Sequence, residues 1–275
     1  MAATSLHVRS NSLPSRPHPL VSEVEDNISR LRSSQSASSS SSSVSNKLRS
    51  LQDLQDCVEK LLALPLNQQA LVQDQKFLNQ MLDGSLRLLD FCNTTKDALS
   101  LMKESVFELQ SVLRRRVQGG LHLNDVKQYI TCRKTVKKAI QKALKNLKGV
   151  ECSSIESPEI VSVLRDVEAI TRDVFESLAS FISQQRRPSG WSLVSKLMHQ
   201  RKVANEQEEE EKKINEFALV DASLEGILGS KTNKYEKVQS DLKDLEMCIE
   251  DLEEGTECLY RRMIKTRVTL LNIFN

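Results

Sequence analysis

The stretch YEKVQSDLKDLEMCIEDLEEGTECLYRRMIKTRVTLLNI (235–273) decides the fold of this chain. Apolar residues recur in it at alternating spacings of three and four, which is the a/d pattern of a helix that packs along one narrow seam. Two threonines interrupt the apolar character, and Gly255 is a candidate position for a bend because glycine weakens a helix. The seam positions are Tyr235, Val238, Leu242, Leu245, Ile249, Leu252, Thr256, Leu259, Met263, Thr266, Leu270 and Ile273.

The chain between residue 46 and this stretch also has helical periodicity. With only 8 Gly, 6 Pro and 4% aromatic residues, the composition favours long helices over a sheet. Short breaks near Pro65, Gly119 and 150–157 favour antiparallel neighbours. The sequence therefore predicts an all-α protein, with an elongated antiparallel helical bundle over 46–275. The predicted helices cover about 46–64, 67–117, 124–148, 158–183, 191–198, 205–228 and 235–273.

The N-terminal segment 1–45 is predicted to be a disordered, serine-rich tail. Ten of the thirteen residues in 33–45 are serine, and such a run has little to bury in a core. The first 22 residues contain Arg, Ser and His but no acid, which leaves organellar import as an alternative. Three prolines and the lack of an amphipathic helix favour an ordinary basic tail in a cytoplasmic protein.

The tail contains one specific short motif, RSNSLP (9–14). It fits R-S-x-S-x-P, the pattern that 14-3-3 proteins bind once the second serine is phosphorylated. A phosphate on a flexible segment suits capture by an arginine cluster in such a partner. The candidate residues of this phosphorylation-dependent site are Arg9, Ser10, Ser12 and Pro14.

A basic amphipathic helix is predicted over 126–148. Its lysines and arginine oppose an apolar face, a shape that can bind an anionic membrane surface or an acidic protein. The alternative is an internal one: residues 241–257 are strongly acidic, so the C-terminal helix is expected to lie beside the basic helix and cover it. Nucleic acid is disfavoured because aromatic stacking platforms are absent. The candidate basic face comprises Lys127, Lys134, Lys138 and Lys145.

No pattern in the sequence predicts catalysis, a metal or a cofactor. The six cysteines form no CxxC pair and have no histidine at ligand spacing, so they are expected to be reduced thiols. The segment GILGSKT (226–232) differs from a phosphate-binding loop, because Ser230 replaces the glycine before the lysine. No apolar run reaches the length of a membrane span. We therefore expect a protein that is not an enzyme.

Four segments carry a resemblance to a known family: HVRSNSLPSRPHP (7–19), LPLNQQAL (64–71), LDGSLRLLDFCNTTKDALSLMKESVFELQSVLRRR (82–116) and CLYRRMIKTRVTLLNIFN (258–275). On these segments the chain resembles a plant-specific family of unknown biochemical function, related to the BYPASS-type proteins. The resemblance implies a helical plant protein linked to root and shoot development. It carries over no catalytic residue.

Two functions are therefore expected. The first is a non-enzymatic interaction or regulatory protein, a helical scaffold with a phosphorylatable tail and protein partners that include 14-3-3 through Ser12. The alternative is a peripheral membrane module that binds anionic lipid through the basic helix. Because several helices need an apolar partner, the C-terminal seam is expected to close an intramolecular bundle, and a homo-oligomer is not favoured.

Overall fold

The computed structural model describes residues 18–34, 40–115, 123–147, 158–184, 215–229 and 235–275. These residues form eight α helices and no strand, which confirms the predicted all-α class. In chain order the helices are α1 (Pro19–Ser33), α2 (Ser41–Leu62), α3 (Pro65–Gln73), α4 (Gln75–Arg115), α5 (Leu123–Asn146), α6 (Glu159–Ser183), α7 (Glu216–Gly229) and α8 (Tyr235–Phe274).

The C-terminal helix α8 has the predicted seam. Every seam position from Val238 to Ile273 is buried, including both threonines, and Tyr235 is partly buried. The helix continues unbroken through Gly255, where a Cβ atom would lie 3.2 Å from Leu48 Cδ1 of α2. The Gly255 carbonyl also accepts a 2.9 Å hydrogen bond from Gln52 Nε2. Glycine therefore permits the close approach of α2 and α8 at this level.

All eight helices contribute to one hydrophobic core, and the long helices α2, α4, α6 and α8 supply most of it. Helix α4 has 41 residues and α8 has 40, so each can bury an apolar face along most of the molecule. Contacts between Lys96 and Glu257 and between Gln110 and Glu246 show that α4 and α8 are antiparallel. Phe91 of α4 stacks on Phe175 of α6, with ring centroids 4.6 Å apart. The predicted antiparallel bundle is confirmed.

The predicted boundary of the tail at residue 45 is wrong. Helix α1 lies within the segment that composition marked as disordered, and its Val21, Val24, Ile28 and Leu31 are buried in the common core. Helix α2 begins at Ser41, inside the serine run, where the Ser40 side chain accepts a hydrogen bond from a main-chain amide in the first turn. Serine suits such a capping position because its hydroxyl replaces a missing main-chain partner. Residues 1–17 lie outside the described residues.

Two further boundaries differ from the prediction. Pro65 begins α3, because its fixed φ and missing amide hydrogen are tolerated in a first helical turn. The single helix predicted over 67–117 is two helices, which meet at Asp74. An Asp74 carboxylate oxygen accepts a 3.0 Å hydrogen bond from the Phe77 amide and so caps α4. The helix predicted at 191–198 lies outside the described residues.

Candidate functional site: the basic face of helix α5

Helix α5 has one buried face and one exposed face. The buried face packs against α4, α6 and α7. Since apolar burial fixes the rotation of the helix about its axis, the polar side must point to solvent. The buried apolar residues are Val126, Tyr129, Val136, Ile140, Ala143 and Leu147.

The candidate lysines form a single stripe on the exposed face. Lys127, Lys134, Lys138 and Lys145 are all exposed. At about 100° per residue they fall within roughly 40° of one another around the helix, and the stripe is roughly 27 Å long. Lys142, at the edge of the stripe, is exposed as well. In the part of the chain that the structure describes, none of the five makes an ion pair with a carboxylate. The predicted face therefore exists and is uncovered there.

The expected cover for this face, the acidic flank of the C-terminal helix, lies elsewhere. Helix α4 packs against both: its Leu101 and Glu108 contact α5, whereas its Lys103 and Gln110 contact α8. The α8 carboxylates are instead bound by α4. Lys103 Nζ lies 3.0 Å from Glu250 and 3.4 Å from Glu253, and Ser100 donates to Glu253 at 2.8 Å. The prediction that the acidic helix covers the basic one is wrong. Charge content showed that the two helices have opposite charge, but it did not show which neighbouring helix binds the carboxylates of α8.

Two basic residues of α5 are internal and hold the helix in place. Arg133 is only 2% exposed, and its guanidinium lies 3.3 Å from an Asp221 carboxylate oxygen of α7. It also donates to the carbonyls of Ile182 and Gln184 at the C-terminal end of α6. That end carries partial negative charge, so a cation stabilises it. Lys137 shares Asp221 at 3.3 Å, and burial lowers the pKa of its amino group.

Helix α7 is fastened to the same end of α6. The Asn215 side chain donates to the Phe181 carbonyl at 2.6 Å and accepts from the Ala218 amide at 2.9 Å, so one amide caps the end of α6 and the start of α7. Phe217 packs edge-on against Phe181, and the Arg133 guanidinium lies 4.5 Å from the Phe217 ring centre. These contacts join α5, α6 and α7 behind the lysine stripe.

A shallow groove of about 540 Å³ lies between α4 and the N-terminal half of α5, beside one end of the stripe. Leu101 of α4 lies in it and is 42% exposed. Cys132 borders it and donates to the Leu101 carbonyl across a 3.6 Å distance. The other lining residues are Asn124, Lys127, Gln128, Thr131 and Thr135.

The described residues contain little that resembles catalytic machinery. Burial raises the pKa of the Cys57 thiol to about 11, and it also raises the pKa of Cys92 and of Cys248, which makes these thiols poor nucleophiles. No group of three or more His, Cys, Asp or Glu residues in the described ranges could hold a metal ion. Among the helices described, none is long and apolar enough to cross a bilayer.

The tail motif belongs to the part of the chain that the structure does not describe. Arg9, Ser10, Ser12 and Pro14 all precede residue 18. Nothing in the geometry bears on them, and they stay a prediction from the sequence.

The fold and the uncovered lysine stripe define an all-α helical bundle with an exposed basic surface. A family model described as "Protein BPS1" matches residues 47–273, which is most of the chain, and the protein belongs to that family. This match confirms the resemblance to the BYPASS-type plant proteins. No curated protein and no solved structure matches the chain.

Proposed function

We propose that this protein is a non-enzymatic regulatory scaffold in plant root and shoot development, which docks on an anionic membrane surface through the basic face of α5. Membership of the BPS1 family supports the role in plant development. The observation that carries the docking is the exposed stripe of Lys127, Lys134, Lys138 and Lys145, with no carboxylate paired to it in the described residues. Lysines near an anionic leaflet each contribute about 1 kcal/mol of attraction.

The mode of docking follows from the packing of α5. A free amphipathic helix inserts its apolar face between lipid headgroups. Here Val136 and Ile140 on that face are buried in the bundle, so they are not offered to lipid. The proposed contact is therefore electrostatic and lies at the membrane surface. Such binding weakens steeply as salt shortens the range of the attraction.

We expect the triple change Lys134→Glu, Lys138→Glu and Lys145→Glu to lower binding to phosphatidylserine-containing liposomes at least ~100-fold. Three attractions of about 1 kcal/mol each are lost and replaced by repulsion, while roughly 1.4 kcal/mol corresponds to tenfold. Liposome co-sedimentation at low and physiological salt measures the effect, with phosphatidylcholine liposomes as the blank.

A matched control separates the site from net charge. Lys76, Lys243 and Lys265 are exposed on other helices, and their change to glutamate alters the net charge by the same amount. The control triple should retain most of the binding. Equal binding by the α5 triple and the wild type, or equal loss in both triples, would contradict docking through this face.

The scaffold is further proposed to be regulated through its tail. Ser12→Ala is expected to abolish capture of the kinase-treated protein by a 14-3-3 protein, because the phosphate on Ser12 is the group that the partner's arginine cluster would hold. Ser15→Ala, in the same tail but outside the motif, should leave capture unchanged. A pull-down with and without phosphatase treatment measures both. Undiminished capture of the Ser12→Ala protein would remove the tail from the proposal.

A further inference from the structure

A second charged stripe runs along the outer face of α4, beside the lysine stripe. Asp83, Asp90, Asp97 and Glu104 recur every seven residues, so they lie on nearly one line along the helix, and all four are exposed. Glu108 extends the line and is exposed as well. No carboxylate of the five lies within ion-pair distance of a cation in the described ranges. The α4–α5 hairpin therefore presents an acidic stripe and a basic stripe side by side.

The register of the hairpin places residues of opposite charge at the same level, that is, at the same height along the nearly parallel axes of α4 and α5. Gln128 donates to Glu108 at 2.8 Å, and Cys132 donates to the Leu101 carbonyl, which shows that α4 and α5 run antiparallel and fixes their alignment. Following this alignment along the two helices places Lys127 level with Glu108. The same alignment places Lys138 level with Asp97 and Lys145 level with Asp90.

We infer that this hairpin face is a self-complementary surface whose partner is a second copy of the chain. A two-fold axis parallel to the α4 and α5 axes would set α4 of each copy against α5 of the other without changing the level of any residue. Each of the three level-matched pairs would then occur twice, as a symmetric interface requires. Leu101, 42% exposed in the groove between the stripes, would lie near the axis as the apolar contact.

The interface and the membrane contact use the same lysines. A copy whose stripe faces acidic side chains of its twin cannot present it to a bilayer, so dimer and bilayer-bound protein are alternatives. The inference itself does not depend on the proposed function, because it requires only the two stripes and their register.

Charge exchange tests the inference. One variant carries Lys127→Glu, Lys138→Glu and Lys145→Glu; the other carries Asp90→Lys, Asp97→Lys and Glu108→Lys. Sedimentation velocity of the full chain at low salt should show a dimer for wild type and monomers for each variant alone. An equimolar mixture of the two variants should form a one-to-one heterodimer, since acidic stripes then meet basic ones at both contacts. The Lys76, Lys243 and Lys265 triple is the control and should stay dimeric.

Three outcomes would overturn the inference: wild type that is monomeric at low salt and high micromolar concentration, a dimer that survives in either variant, or a mixture that does not associate. All six positions are exposed, and circular dichroism checks that each variant is folded. If a variant does not fold, the wild type still decides the question, because its dimer must dissociate as salt is raised.

Discussion

Replacement of Arg133 by methionine is expected to lower the free energy of unfolding by about 3–5 kcal/mol, which is the usual cost of removing one partner from a buried ion pair. The arginine is 2% exposed and bonds to Asp221 and to two carbonyls at the end of α6. Methionine fills much of the volume but donates no hydrogen bond. The Asp221 carboxylate and the two carbonyls at the end of α6 then have fewer hydrogen-bond partners, and this loss determines how much the free energy of unfolding falls.

Two control variants separate the contributions at this position. Lys137→Met removes a second cation from Asp221 but breaks no contact with α6, so we expect a smaller loss of stability. Arg133→Lys keeps the charge but cannot reach Asp221 and both carbonyls at once, since its single ammonium lacks the planar fork. It should fall between wild type and Arg133→Met. Urea unfolding followed by circular dichroism gives the three values. Equal stability of Arg133→Met and wild type would show that the contacts of Arg133 do not hold α5 to α6 and α7.

The C-terminal helix could be predicted from the sequence almost residue by residue. Heptad spacing is a local signal, and it states directly which side of a helix must be buried. The seam positions from Val238 to Ile273 are accordingly all buried. The lysine stripe of α5 was predictable for the same reason, because Lys127, Lys134, Lys138 and Lys145 are related by spacings that a helix places on one side.

The partners of these helices could not be read in the same way. Charge content suggested that the acidic residues around Glu250 face the lysines of α5. The structure pairs Glu250 with Lys103 of α4, because two helices of about 40 residues bury most area by packing along each other. Ion pairs at the surface contribute too little to override that packing. Packing area, which depends on the whole fold, therefore decided which helices became neighbours.

Helix α1 and the buried contacts of Arg133 were missed for different reasons. The serine content of 33–45 outweighed the helical spacing of Val21, Val24, Ile28 and Leu31, although that spacing was a usable signal. No such local signal existed for Arg133. Its neighbours in sequence are Cys132 and Lys134, and its role depends on carbonyls 49 and 51 positions away. Long-range contacts of this kind leave no periodic trace in the sequence.

The seam of α8 predicts a second large effect, for the change Leu252→Ala. Leu252 is fully buried, close in sequence to the point where α8 approaches Leu48 of α2. We expect a loss of about 2–5 kcal/mol, made up of the lost transfer free energy and the cavity that remains. Leu252 is fully buried between long helices, which limits how far the site can collapse, so the cost should fall in the upper half of that range.

Met247, five residues away on the same helix, provides the control because it is 58% exposed. Met247→Ala should change stability by less than about 0.5 kcal/mol, the usual limit for surface positions. Urea unfolding of the two variants beside wild type measures the difference between the faces of α8. If the two changes cost the same, the seam is not the core of an intramolecular bundle. A cost of Leu252→Ala that depends on protein concentration would instead place the seam between chains. A cost that does not depend on protein concentration places the seam within one chain.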